Sequence, residues 1–331
     1  LYSIGGETIY GPVLAIGIAL TLIILATNWF GVSIGAVTQL VLFIVMLVLA
    51  VIVAAVGFKA GSIDNFLPAF DASVQELSPA PVAILAFLLP AFAFLAGFGV
   101  VAVLAEEANA PAKLLGKIVG WSVLLAGGFY ILVLTATAFV IPWTQTAGLK
   151  NGTIEAFEKA GFPMIAMAAF VIGVLGIVTT FIAVFAASSR LMLALARVQL
   201  LPPFFGKVHE GSGVPRNALL FTTAIGIGLG WLGPGALLWF LNVGGVYIGV
   251  VWAITVYCFY RVRKLYKGSE PPYKVRFAWV PALGAIAGVV VILGGLVPGL
   301  PLSLRWPYEY VIIVVWLILG GVLYLLSPRS G

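Results

Sequence analysis

The stretch FAFLAGFG, residues 92 to 99, carries the most promising chemistry in this 331-residue chain, although none of its side chains is charged. Gly97 and Gly99 stand among Phe92, Phe94 and Phe98 in an apolar run that opens near residue 81 and closes on Glu106 and Glu107. Glycine is a weak helix former, so a helix here has a place to come undone. In lipid, carbonyls and amides freed by a break must meet protein or a water-filled cavity, because hydrocarbon gives them no partner. Carbonyl ends then attract cations and amide ends attract anions, which is binding chemistry without ionisable side chains. Glycine pairs also allow helices to pack closely, and that reading stands beside the first.

The elements that would hold this stretch follow from composition. The chain is 63% hydrophobic and 8% charged, against roughly a quarter charged in soluble domains. That excludes a soluble globule. Apolar runs lie near residues 12–28, 35–57, 81–104, 118–141, 163–187, 217–232, 235–259, 278–297 and 308–326. Each approaches the roughly 20 residues that a helix needs to cross a bilayer. The fold class expected is an all-α polytopic membrane protein of nine spans, with Gly233-Pro234-Gly235 as a tight hairpin between two of them.

An odd number of spans puts the chain ends on opposite faces, and the basic residues orient them. Thirteen of the 17 Lys and Arg residues fall on one face, among them Lys113, Lys117, Lys207, Arg216, Arg261 and Arg263; Lys59, Lys150, Lys159 and Arg305 fall on the other. The positive-inside rule makes the first face cytoplasmic, so the chain start is extracellular and the C-terminus cytoplasmic. The net charge of +6 is thus a topology signal rather than a nucleic-acid footprint, and no nucleic acid is expected as a partner. The start at Leu1 rather than Met leads to the expectation that a segment precedes it.

Several lesser features have bland readings. TIEAFEKAG, 153–161, reads as a short outer helix capped by Thr153 and stopped by Gly161, either a lid or a surface helix. Arg190 and Arg197, seven apart, suggest one side of a helix at the headgroup boundary, or else a continuation of the fifth span. Trp143, Trp231, Trp279 and Trp306 fall at span ends as interfacial anchors. Cys258 reads as a packing residue and His209 as structural.

No Asp, Glu, Lys, Arg or His lies in the predicted centre of any span, which argues against an intramembrane proton relay. No nucleophile elbow, His-Glu-x-x-His or phosphate loop is present, so no catalytic or metal-binding residues are assigned and an enzyme is not expected. An ion channel is the weaker alternative, since neither a filter nor a charged ring is visible.

Phe98, Ala105-Glu106-Glu107 and Pro111 resemble the sixth helix and following loop of amino acid permeases in the amino acid–polyamine–organocation superfamily. Ser189-Arg190, Ala196-Arg197, Leu201-Pro202, Phe204-Phe205, Val208-His209 and Gly213-Val214-Pro215-Arg216-Asn217-Ala218 resemble the signature after its eighth helix. The resemblance covers essentially the whole chain. It implies a partial leucine-transporter-type fold of 5+5 inverted repeats, missing the first three helices, with the nine spans as family helices 4 to 12. Residues 1–331 then form one permease domain: 1–60 end the first repeat, 81–260 form the second, and 278–327 are two accessory helices.

The function implied is secondary transport of amino acids or related amines by alternating access, in the plasma or inner membrane. A non-transporting partner or regulatory subunit of the same fold is the alternative. Substrate ammonium would meet the carbonyls of Phe92, Ala93, Phe94, Leu95 and Ala96, with Gly97 giving close approach and Phe98 and Gly99 supporting the break or a gate. Residues 1–331 alone are expected not to bind substrate, because the facing wall belongs to the family's first helix. Thr179 and Thr180 resemble hydroxyl ligands of a sodium site in some members, or else bond their own helix. Asn242 either lines the pathway or bridges helices. No cofactor is implied beyond a coupled proton or sodium ion; the partners are substrate and membrane lipids, with a homo-oligomer or accessory subunit left open. The chain departs from the family pattern at Gly99, where many members have an acid, and at Met46, where many have a lysine tied to proton coupling. It departs again at Val198-Gln199, where Asp-Gly is usual.

Overall fold

Hydrocarbon leaves backbone groups to satisfy one another, and the computed structural model of this chain is helical through its long apolar runs. It describes residues 1–4, 7–30, 32–70, 80–105, 108, 110–266, 275, 277 and 279–328. Glu106 and Glu107 lie outside the described residues, as do Lys267, Lys274, Arg276 and Arg329.

In chain order the helices are α1 (Gly11–Trp29), α2 (Val32–Ala60), α3 (Ala80–Ala86), α4 (Leu88–Leu95), α5 (Gly99–Val103), α6 (Ala112–Val140) and α7 (Trp143–Thr146). There follow α8 (Gly152–Lys159), α9 (Pro163–Arg197), α10 (Arg216–Gly230), α11 (Ala236–Leu265), α12 (Val280–Leu296) and α13 (Tyr308–Leu325). Pro12 and Pro163 open α1 and α9, where the missing amide costs nothing. A two-stranded antiparallel ladder, Tyr2–Ile4 with Glu7–Ile9, precedes α1; an all-helical reading did not include it.

Seven helices are long and apolar enough to cross a membrane, counting the run 81–103 as one. The other two of the nine expected runs form shorter helices. α10 has 15 residues and α12 has 17, about 22 and 25 Å at 1.5 Å per residue, at or just below the roughly 17 to 25 residues of membrane-crossing helices. Gly230 and Arg216 bound the first, while Pro281 and the residues before Pro298 bound the second. In no span does more than 22% of the most apolar window lie inside the protein. The outward leucines, isoleucines and valines would aggregate in water and suit lipid.

Packing gathers the helices into two groups. α9 is the centre of one, against α1, α2, α8 and α10; α11 is the centre of the other, against α4, α12 and α13. Leu89, Phe92, Val243, Val246 and Val291 form the core of the second group, and Ile24, Ile182, Phe185, Val214 and Leu219 a core of the first. At Gly245 of α11 any Cβ would sit inside the Leu89 carbonyl of α4, so only glycine permits that crossing.

Several local expectations change. Asn151, not Thr153, is the residue before α8; Glu155 Oε1 accepts from the Asn151 amide at 2.9 Å, while Thr153 lies in the first turn and bonds Thr137 at 3.1 Å. Gly161 does end the helix, with φ +84°. Phe157 is fully buried beside Val53 and Ala166, which ties α8 to the bundle. No separate helix lies at the headgroup boundary: α9 continues unbroken to Arg197 over 35 residues, about 52 Å. Arg190 is buried and Arg197 exposed, so the two do not share an environment. Cys258 is exposed on α11 rather than packed. Gly233, at φ +75°, turns the chain between α10 and α11, and a Cβ there would meet Ile9 at 2.6 Å.

The loop run that carries the family resemblance is a packed unit. Val214 O accepts from His209 N at 3.0 Å, Asn217 Nδ2 donates to Phe204 O at 2.9 Å, and Phe205, Val214 and Ala218 are buried. His209 meets Ser212 Oγ at 3.3 Å, in keeping with a structural role. Gln199 has φ +60°, the left-handed conformation that a glycine adopts without strain.

Candidate functional site

The span 81–103 is not one regular rod. α4 ends at Leu95, a 3-10 turn covers Ala96–Phe98, and α5 resumes at Gly99. Leu95 (φ −91°, ψ 0°) is where the dihedrals leave the helical mean. The Ala96 amide donates to Ala93 O, three residues back, and so withdraws from Phe92 O, its partner in a regular helix. The Gly99 amide donates to Ala96 O and Gly97 O, which withdraws it from Leu95 O. Two carbonyls thus lose their regular donors. The break is a tightening of the helix rather than an extended gap, since Ala96, Phe98 and Gly99 keep right-handed helical dihedrals.

The glycines do not act by packing here. A Cβ at Gly97 or Gly99 would meet nothing within 4 Å, and neither has positive φ. Close helix contact is therefore excluded as their role among the described residues, and what they contribute is weak helix propensity beside open space.

The aromatic residues divide. Phe92 is buried against Trp252 of α11 (centroids 4.6 Å apart, planes at 39°), and Phe98 meets the same indole at 5.4 Å. One tryptophan thus touches the span before its turn, at Phe92, and at the last residue of the turn, Phe98. Phe94 points away, exposed, 6.2 Å from Tyr130 of α6. Ala93, Leu95 and Ala96 are half-buried. The turn also lies at the joint of the two helix groups: α4 packs on α11, whereas α5 packs on α6 and α9.

Thr179 and Thr180 are on α9. The Thr179 hydroxyl donates to Leu175 O at 2.8 Å and Gly176 O at 3.1 Å, and its carbonyl accepts from Gln39 Nε2 at 2.9 Å; Thr180 is exposed. That is the self-satisfied arrangement of a threonine in a helix. Met46 of α2 lies beside Gly176, where a Cβ would be 3.9 Å from its sulfur.

Trp252 and Glu309 were missed by the sequence reading. Trp252 had no signal beyond being a tryptophan far from a span end. Glu309 sits in the first turn of α13 and is fully buried. Its carboxylate accepts from Asn242 Nδ2 of α11 at 2.9 Å and from the Arg305 amide at 2.6 Å. Asn242 therefore bridges helices. No group of three His, Cys, Asp or Glu residues able to hold a metal occurs among the described residues.

A family model described as amino acid permease matches residues 2–318. The branched-chain amino acid permease BcaP of Bacillus subtilis is 29% identical over 293 residues, covering 88% of this chain and 58% of its own. The aromatic amino acid transport protein AroP of Corynebacterium glutamicum is 30% identical, covering 74% of this chain and 54% of its own. The lysine-specific permease LysP of Escherichia coli is 27% identical, covering 81% and 57%. The chain thus spans rather more than half the length of these curated relatives. A match that runs from the first strand into the last helix, through the broken span and the packed α9–α10 loop, places this chain in the amino acid permease family.

Proposed function

We propose that this chain forms part of a secondary transporter that moves amino acids or related amines across the plasma or inner membrane by alternating access. The observation that carries the reading is the 3-10 turn at Ala96–Phe98, set at the joint of two helix groups in a chain of permease family. A joint that belongs to both groups can change its own angle while each group keeps its packing. The substrate ammonium meets the carbonyls of Phe92 to Ala96, and Gly97 leaves space for its approach. Ala93, Ala96 and Gly97 offer no charge to a charged side chain, which supports a neutral amino acid. The relatives named for branched-chain, aromatic and basic substrates support amino acids as the class without choosing among them.

No cofactor takes part. A coupled ion is carried elsewhere than at position 46, since a thioether does not titrate at physiological pH. Thr179 and Thr180 of α9 are the candidate hydroxyl ligands for a sodium ion. The chain start is extracellular and the C-terminus cytoplasmic.

The test is a thermal-shift screen of the full gene product against amino acids and polyamines, followed by uptake in proteoliposomes. A ligand at a hundredfold its dissociation constant stabilises by about 2.7 kcal/mol. Saturable uptake of the same ligand is expected. Absence of both shift and uptake across the whole panel would overturn the reading, and unitary currents in a bilayer would replace it with a channel.

A further inference from the structure

We propose that the groove between α1 and α10 binds an anionic phospholipid, with an acyl chain along the groove and the phosphate on the Arg216 guanidinium. The groove is open, offers about 320 Å³ and is walled by Leu22, Leu25 and Ala26 of α1 and Leu220 of α10, with Trp29 and Phe30 at one end. Arg216 lies one turn before Leu220, and its Cζ sits 4.5 Å from the centre of the Trp29 ring. Its Nε–H is enclosed and has no acceptor among the described residues. A closed-off donor without an acceptor is costly, and it marks a place where a partner belongs.

Two features choose the occupant. The wall is apolar on helices whose outer faces suit lipid, so an alkyl chain fills it better than water or a zwitterionic solute does. The cation and indole sit together at one end, as they do at headgroup level. Arg216 as a whole is only partly buried, and the planar fork of a guanidinium fits two phosphate oxygens. A headgroup of net negative charge complements it, whereas choline brings a cation to the same place. The inference stands apart from the transport reading and uses none of the residues of the broken span.

The experiment uses the full gene product in detergent, titrated with phosphatidylglycerol or phosphatidylcholine of matched acyl chains, with bound lipid counted by native mass spectrometry. Phosphatidylglycerol should be retained about tenfold over phosphatidylcholine. Arg216→Gln should bring the two lipids level. Ala26→Trp fills the groove without touching the charge and should lower retention of both. Water-soluble glycerol phosphate should not displace the lipid, which separates a lipid site from a simple phosphate site. Equal retention by the unaltered protein, a preference surviving in Arg216→Gln, unchanged occupancy in Ala26→Trp, or displacement by glycerol phosphate would each overturn the proposal. Should Arg216→Gln not fold, the Ala26→Trp occupancy and the glycerol phosphate arm decide.

Discussion

Trp252 holds Phe92 and Phe98 with one indole, so α4 and the last residue of the turn are tied to one side chain of another helix. Replacing it with alanine should lower stability by about 2 kcal/mol. On the transport reading it should also raise KM for uptake more than Trp252→Phe does; equal KM in both variants would remove Trp252 from the positioning of the site. Glu309 poses a different problem, because a buried carboxylate is tolerable only while both oxygens have donors. Glu309→Ala should cost about 3 kcal/mol, and a double-mutant cycle with Asn242→Ala should show coupling of about 1 kcal/mol in melting experiments. Additive effects would show that the 2.9 Å contact contributes nothing. Gln199, at φ +60°, holds a conformation that disfavours any Cβ. Gln199→Gly should raise stability by about 0.5 kcal/mol, the relieved strain being partly offset by the added freedom of the unfolded chain. The left-handed geometry was not visible in the sequence, although the family's usual Asp-Gly at 198–199 pointed toward it.

Among the elements, the broken span separates two kinds of glycine. At Gly97 a methyl group meets nothing within 4 Å, and at Gly245 it meets the Leu89 carbonyl. Gly97→Ala should therefore leave stability unchanged or raise it by up to about 1 kcal/mol, as helix propensity improves. Gly245→Ala should lower it by about 2 kcal/mol by pushing α11 off α4. Uptake should fall in both variants, through the site in the first and through the scaffold in the second. Unchanged uptake in Gly97→Ala would show that the space beside that residue is not used. Glycine content at 97 and 99 was enough to locate the interruption in sequence. Its form was not, because choosing between a 3-10 turn and an extended gap depends on how Trp252, α6 and α9 hold the two halves. The overlong α9 shows the same limit: Arg190 lies buried within the helix and Arg197 is its exposed last residue, a difference that their spacing alone does not give.

For the whole molecule, orientation is the most direct check. α9 separates Lys150 from Lys207 by its full length of 35 residues, about 52 Å. In a Cys258→Ser background, an impermeant maleimide should label Lys150→Cys in intact cells and Lys207→Cys only after permeabilisation. The reverse pattern would invert the charge-based topology. That charge asymmetry, the membrane class and the positions of the helices were set by the sequence alone, because hydrophobic length and basic loops act locally and need no knowledge of neighbours. The family was legible in the same way, through the ordered run from Ser189 to Ala218. The tertiary structure alone decided what faces what. It put Trp252 against both Phe92 and Phe98, buried Glu309 against Asn242, and left Arg216 with an enclosed donor. In an almost uniformly apolar chain, every helix surface offers similar hydrophobicity. Partner choice therefore rests on close shape and on scarce polar contacts between distant residues, which no local pattern records.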